Sequence, residues 1–240
     1  MSSRPQPEQH APPVQRLRVR YAKRGRARFA SHRDFGRAFE RALRRAGVPM
    51  AYSSGFSPHP RISYANAAPT GAASEAEYLE IGLAQHCDPE AVREALDAAL
   101  PTGLDVVEVV EASPGALADR LTGSVWIVDW PGADAAVLGP AVATLLGESE
   151  HTVERMTKNG LRSFDVRGAV VSLRAEDVPA GSARLRMVLR HGVPLVRPDD
   201  VLRALIHVDA AVGALPDAVP TRLGQGPLDE ASGEVGDPLR

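Results

Sequence analysis

SHRDFGRAFERALRRAGVPMAYSSGFSPHPRISYA, residues 31–65, is the stretch whose reading decides the fold. Ser31 followed three residues later by Asp34 is a capping-box-like start, since both side chains can accept from amides that have no partner inside a helix. Gly47 supplies the stop. Between them Phe35, Phe39 and Leu43 recur every four residues with Ala38, Ala42 and Ala46 beside them, so one face is apolar and suited to packing on a sheet. Arg33, Arg37, Arg41, Arg44 and Arg45 take the rest of the surface. Only Asp34 and Glu40 offset them within the helix.

Outward from this helix the pattern turns to strands. RLRVRY, Arg16 to Tyr21, alternates strictly, with Leu17, Val19 and Tyr21 on one face and Arg16, Arg18 and Arg20 on the other. Downstream, residues 61–67 and Tyr78 to Leu83 read as strands. Asp88 and Pro89 open a second helix with a stripe of Val92, Ala95, Leu96, Ala99 and Leu100, and Leu104 to Val110 is a fourth strand. The order is β-α-β-β-α-β. It recurs: Ser124 to Trp130 is a strand, a helix follows that starts or breaks at Pro140, and two strands flank Asn159-Gly160, a hairpin signal. Arg184 to Arg190, a short helix after Pro198 and a strand over Val219 to Leu223 complete it. The fold class predicted is therefore α+β, two tandem ferredoxin-like domains. The expected boundaries are a disordered tail at 1–13, a basic domain at 14–112, a linker at 113–121, a second domain at 122–223 and a flexible tail at 224–240. Segment 167–182 fits an extra strand, a helical turn or an ordered loop.

Charge divides the chain. The formal net charge is −2, yet residues 14–64 hold 13 Arg or Lys against 2 Asp or Glu, and residues 65–240 hold 14 against 27. A polyanion meets a positive N-terminal third and a repelling remainder. In the sandwich expected, the first and third strands expose alternate residues on the face away from the helices, which places Arg16, Arg18 and Arg20 there in the first domain and Arg184, Arg186 and Arg190 in the second. RNA-binding domains of this topology use that face but add aromatic residues for stacking. Here aromatics are few, and Glu80 is placed to pair with the strand arginines. The candidate RNA-binding set is Arg16, Arg18, Arg20, Lys23, Arg24, Arg26, Arg28, His32, Arg33, Arg37, Arg41, Arg44, Arg45, Ser57, His59 and Arg61.

His32 and His59 are the acid–base candidates of the basic region, because imidazole titrates near neutrality and can deprotonate a ribose hydroxyl. The plainer assignment, which the residues favour, is a helix-start histidine for His32 and a structural turn between Pro58 and Pro60 for His59. His86, His151, His191 and His207 are dispersed and give no metal-ligand spacing. Cys87 is the single cysteine. It excludes an internal disulfide, a cysteine-rich zinc site and the three-cysteine attachment of an iron–sulfur cluster, so no cofactor is expected on this chain. No apolar run reaches the length of a membrane span and the N-terminus lacks a secretory hydrophobic segment, so a cytoplasmic protein is expected.

The run from RFASHRDF to EAEYLEI resembles the N-terminal signature of the radical-SAM-linked protein family, a bacterial domain of unknown function. Ser31-His32, Glu40 to Gly47 and Gly55 to Pro60 represent its SH, ERALRRAG and GFSPHP elements. The resemblance covers roughly residues 16–112. It implies a radical SAM protein as partner, encoded beside or fused to the family member, and a gene neighbourhood of ribosomal proteins and an RNase of the E/G type. The tandem topology is also similar to CRISPR repeat-processing endoribonucleases, although Gly224-Gln225-Gly226 is too short for their C-terminal glycine-rich loop. Three functions follow as expectations: an RNA-binding or specificity partner of a separate radical SAM enzyme in rRNA or tRNA modification or maturation; a metal-independent endoribonuclease using His32 or His59; and a protein-docking adaptor with no nucleic-acid ligand.

Overall fold

The computed structural model describes residues 9–131, 135–157, 160–178, 182–214 and 218–240. It has a mixed α+β fold with a large, mostly antiparallel sheet and, among the described residues, four α-helices. Two compact units divide the chain, one holding residues up to 70, 75–118 and 239–240, the other 71–74 and 119–238.

The first unit runs β1 (Gln15–Lys23), α1 (His32–Arg45), β2 (Ile62–Ala65), β3 (Ala73–Leu83), α2 (Pro89–Ala99) and β4 (Leu104–Glu111). Its strands lie in the order β4-β1-β3-β2. Alternation along β1 sends Leu17, Val19 and Tyr21 to one face, where they join Leu79, Ile81 and Leu83 of β3. Phe35, Phe39, Ala42 and Leu43 of α1 and Val92, Leu96 and Ala99 of α2 close over them in one core cluster. Tyr21 stacks on Phe35 with ring centroids 4.3 Å apart. Phe39 is fully buried, so Phe39→Ala removes about 3–5 kcal/mol. Gly47, at φ +66°, ends α1 in the left-handed region that a side chain resists.

The second unit contains β5 (Gly123–Pro131), α3 (Ala135–Gly147), β6 (Thr152–Thr157), β7 (Gly160–Asp165), β8 (Val170–Val178), β9 (Ser182–Arg190), α4 (Pro198–Val208) and β10 (Val219–Gly226). The strand order is β10-β5-β9-β8, antiparallel throughout. Ala73 and Ser74 pair in parallel with Thr221 and Arg222 of β10. Leu185, Met187 and Leu189 of β9 are fully buried, as are Leu138 and Leu145 of α3 and Val201, Ala204 and Leu205 of α4.

Four expectations change here. Segment 167–182, open in the sequence, supplies β8, which pairs with β9 from Val170↔Leu189 to Val178↔Ser182. The strands flanking residues 159–160 pair with one another as a separate two-stranded sheet and not with the larger one. Asn159 itself lies outside the described residues, as do residues 1–8 of the N-terminal tail. The segment after Gly224 is not loose: it completes β10, then turns through a Leu228↔Val235 bridge, with the Gly233 N–H donating to Asp229 O at 2.8 Å. Pro140 neither starts nor breaks α3 but sits inside it.

The β6–β7 hairpin is held by charge. Arg155 of β6 pairs with Asp200 of α4 and donates to Leu195 O at 3.1 Å, while Arg203 donates to Glu154 O at 2.8 Å. Asp200 is fully buried. Burial raises its carboxyl pKa, against the opposing pull of the Arg197 amide and then the neighbouring guanidinium groups, Arg155 foremost.

Candidate nucleic-acid interface

The start of α1 is built as its sequence requires. Ser31 Oγ accepts from the Asp34 N–H at 3.2 Å and the hydroxyl donates to Asp34 Oδ2 at 2.6 Å. That hydrogen bond, helped by Arg37 and Arg33, holds the Asp34 carboxyl below its ordinary range. With Phe35, Phe39, Ala42 and Leu43 turned to the core, Arg33, Arg37, Arg41, Arg44 and Arg45 are all exposed. Arg45 donates to Ala99 O at 3.3 Å. Arg33, Arg37, Arg41 and Arg44 make no hydrogen bond or ion pair among the described residues. Among the described residues four guanidinium groups on one helix thus have hydrogen-bond donors unused within the chain.

The segment preceding α1 divides into spent and unspent charge. Arg18, expected on an open face, is fully buried. It donates to Ser113 Oγ, Ser113 O and Gly115 O at 2.7, 2.9 and 2.7 Å, so it fastens the 112–118 segment over the sheet and cannot reach RNA. Lys23 is likewise buried, its ammonium 3.5 and 3.4 Å from Ala68 O and Pro69 O. Arg20 donates to Glu75 O at 3.0 Å. Arg24 pairs with Glu75 and, at 2.9 Å, with Asp105. Arg16 and Arg26 are exposed, and Arg28 lies 4.6 Å over the Phe29 ring. In the second unit Arg184 is bound to Asp129 at 2.6 Å and Arg190 to Glu230 at 2.7 Å. Each of these two guanidinium pKa values is raised, first by that hydrogen bond.

His32 and His59 are both exposed. The His32 ring stands edge-on to Tyr64 at 4.6 Å, beside the first turn of α1. Burial first, and then the Glu40 charge, push the Tyr64 phenol up to about 12. His59 acts through its backbone: its N–H donates to Ser53 Oγ at 3.1 Å and its carbonyl accepts from the Ser53 N–H at 2.9 Å, closing the Ser/Pro loop. Neither imidazole has a hydrogen-bond partner among the described residues. Ser57 and Arg61 are exposed on the same loop and its exit, and Arg61 Nε donates to Tyr52 O at 3.2 Å.

Sequence reasoning passed over two exposed aromatics that bracket α1 in the chain, Phe29 at 58% and Phe56 at 76%. The available signal was negative: neither residue falls on a helical or strand stripe. Among the described residues no group of three His, Cys, Asp or Glu side chains could hold a metal ion, and no helix is long and apolar enough to cross a membrane.

The family described as uncharacterized protein conserved in bacteria, domain of unknown function 2344, matches residues 16–198. The chain belongs to that family. Its description states neither a reaction nor a partner. No curated protein matches this family member. Among solved structures, a chain of a Cbf5-Nop10-Gar1 complex is similar at 9% identity and TM-score 0.43, over 87% of this chain and 48% of that one. This family member therefore spans about half the length of that relative. A putative glycine cleavage system transcriptional repressor is similar at 10% identity and TM-score 0.22, over 87% and 96% of the two chains.

Proposed function

We propose that this protein binds RNA through α1 and serves as the RNA-binding or substrate-specificity partner of a separate radical SAM enzyme in rRNA or tRNA modification or maturation. The observation that carries the RNA half of this reading is the state of Arg33, Arg37, Arg41 and Arg44: exposed, adjacent and with no hydrogen bond or ion pair among the described residues, on a helix whose other face is locked in the core. Surface arginines kept for solubility are ordinarily interspersed with carboxylates. Here Ser31 engages Asp34, and Glu40 is half-buried near Tyr64. The enzyme half rests on the family resemblance and on a single cysteine, which cannot attach a cluster by itself. We further propose that each unit is a ferredoxin-like domain. The element order of the first unit and its strand order β4-β1-β3-β2 support this, as does β10-β5-β9-β8 in the second, with the β6–β7 hairpin as an insertion.

The test is fluorescence anisotropy with a labelled RNA. Affinity falls steeply with salt, since each neutralised phosphate releases counterions. Arg37→Glu/Arg41→Glu/Arg44→Glu lowers it by about a hundredfold or more, with the circular dichroism spectrum unchanged. Unchanged binding by the folded triple variant removes the RNA reading. Metal-free RNA cleavage lost in His32→Ala or His59→Ala replaces it with a nuclease. Co-elution with the radical SAM protein on size exclusion tests the partner.

A further inference from the structure

On the side of the first unit's sheet away from the helices, two adjoining cavities share Arg16, Ser63 and Glu80. The larger, about 620 Å³, is walled by Ala65 and the 112–118 segment that Arg18 fastens. The smaller, about 130 Å³, adds Arg61, Pro13 and Gly82. A volume of this order suits one small ligand. Gly82 keeps the smaller space open, because a Cβ there would lie 3.0 Å from Pro13 and 3.3 Å from Arg61.

The polar groups around this space are underused. Glu80 sits between two arginines, yet its carboxylate oxygens stand 3.5 Å from Arg16 Nη1 and 3.4 Å from Arg18 Nε. Charge-assisted pairs normally close to about 2.7–2.9 Å, and elsewhere in this chain Arg184–Asp129 closes to 2.6 Å and Arg93–Glu90 to 2.7 Å. Glu80 is therefore a carboxylate facing a cavity with acceptor capacity left over. Arg18 is committed to Ser113 and Gly115, but the Arg16 side chain is 63% exposed and, among the described residues, forms an ion pair with Glu80 alone. Arg61 spends Nε on Tyr52 O, and its two terminal nitrogens have no partner among the described residues. The site thus offers an acceptor with two oxygens beside two cations that can receive an anion.

A ligand that answers this needs two adjacent N–H donors and a negative group. The geometry points to a guanine nucleotide, its N1–H and N2–H₂ edge on the Glu80 carboxylate in the larger cavity and its phosphate between Arg16 and Arg61 in the smaller. Adenine, uracil and cytosine do not present two adjacent N–H groups on that edge, so the carboxylate discriminates against them. The inference stands apart from α1: it concerns a different face, and a free mononucleotide suffices to test it.

The experiment is calorimetric titration of the full chain with GMP, AMP, CMP and UMP. GMP binds roughly tenfold or more tightly than the others, because a site built to satisfy paired donors leaves its own carboxylate unpaired with the wrong base. Glu80→Gln lowers GMP affinity about tenfold and leaves AMP unchanged. Ser63→Trp, at an exposed strand position that lines both cavities and lies opposite Glu80 in the β2–β3 ladder, fills the space while keeping the Glu80 carboxylate, abolishes binding, and decides the matter should Glu80→Gln fail to fold. The Arg37/Arg41/Arg44 triple variant binds GMP as wild type does, so loss of RNA binding at α1 and loss of this site are separate results. Equal affinity for GMP and AMP, GMP affinity unchanged in both Glu80→Gln and Ser63→Trp, or GMP binding lost in the triple variant, each overturns the site.

Discussion

Arg18 of β1 and Arg41 of α1 belong to the same unit and carry the same side chain, and they do opposite things. Arg18 is sealed from solvent and gives its donors to Ser113, Gly115 and Glu80. Arg41 is exposed and gives its donors to none of the described residues. The first belongs to stability, since breaking a buried charge network leaves its partners stranded. In the proposed function the second belongs to binding, where unspent donors represent affinity held in reserve. Counting arginines in the basic third therefore overstates the interface. Of those between residues 16 and 28, Arg18, Arg20 and Arg24 are committed within the fold, as is Lys23.

The contrast can be broken most decisively at Arg18. Arg18→Met should lower unfolding free energy by about 3–5 kcal/mol, as for a buried ion whose partner is left behind, read as a fall in denaturation midpoint. A loss under about 1 kcal/mol would mean the guanidinium is dispensable in the core. Arg155→Met, which strands the buried Asp200 carboxylate in the second unit, should cost about 3 kcal/mol by the same argument. Its thermal melt should show the β6–β7 hairpin releasing before the sheet.

Smaller effects sharpen the other side. Arg184→Gln removes a pair whose members are each about a third exposed, so solvent screening holds the cost to about 0.5 kcal/mol. Arg41→Ala should leave the denaturation midpoint unchanged within error while weakening RNA binding and flattening its salt dependence by about one phosphate. The smallest effect is a change of slope. His191 Nδ1–H donates to Leu121 O at 2.7 Å, its Nε2 lies 2.9 Å from Ser124 Oγ, and burial lowers its pKa beneath the ordinary 6.5. The unfolded chain then binds the extra proton first, so this contribution to stability is present above about pH 6.5 and is lost as pH falls toward the folded-state pKa. His191→Gln should flatten that acid limb of a stability–pH curve. An unchanged slope would show that other groups govern it.

Local pattern made the helices and most strands legible. The Ser31 cap, the Phe35–Phe39–Leu43 stripe and the Gly47 stop all stand in the structure as the residues imply, because each depends on neighbours within a turn or two. What stayed hidden depends on distant chain. Period-two alternation told which face Arg18 shares with Arg16, but the cover over Arg18 arrives with Ser113 and Gly115, about 95 residues later. Likewise β8 was ambiguous because its outward positions are polar and, among the described residues, its ladder partner is β9 alone. The Asn159-Gly160 signal correctly joined two strands but carried no information about which sheet they enter. In the candidate interface the helix arginines were legible, while Phe29, Phe56 and the underused Glu80 were not, since exposure and pair length are properties of assembled space.

The separateness of the β6–β7 hairpin has a consequence for how this chain tolerates change in length. Its ladder runs from Thr152↔Asp165 to Thr157↔Gly160 and, among the described residues, shares no rung with β8 or β9. Lengthening a strand inside the larger sheet by one residue would turn every later side chain to the wrong face. Lengthening the hairpin by a cross-strand pair shifts nothing beyond itself, provided Arg155 keeps its hold on Asp200. The hairpin is accordingly the place in the second unit where natural length variation can accumulate at low cost, and where a fluorescent or affinity insert can report on the protein without shifting the register of the larger sheet.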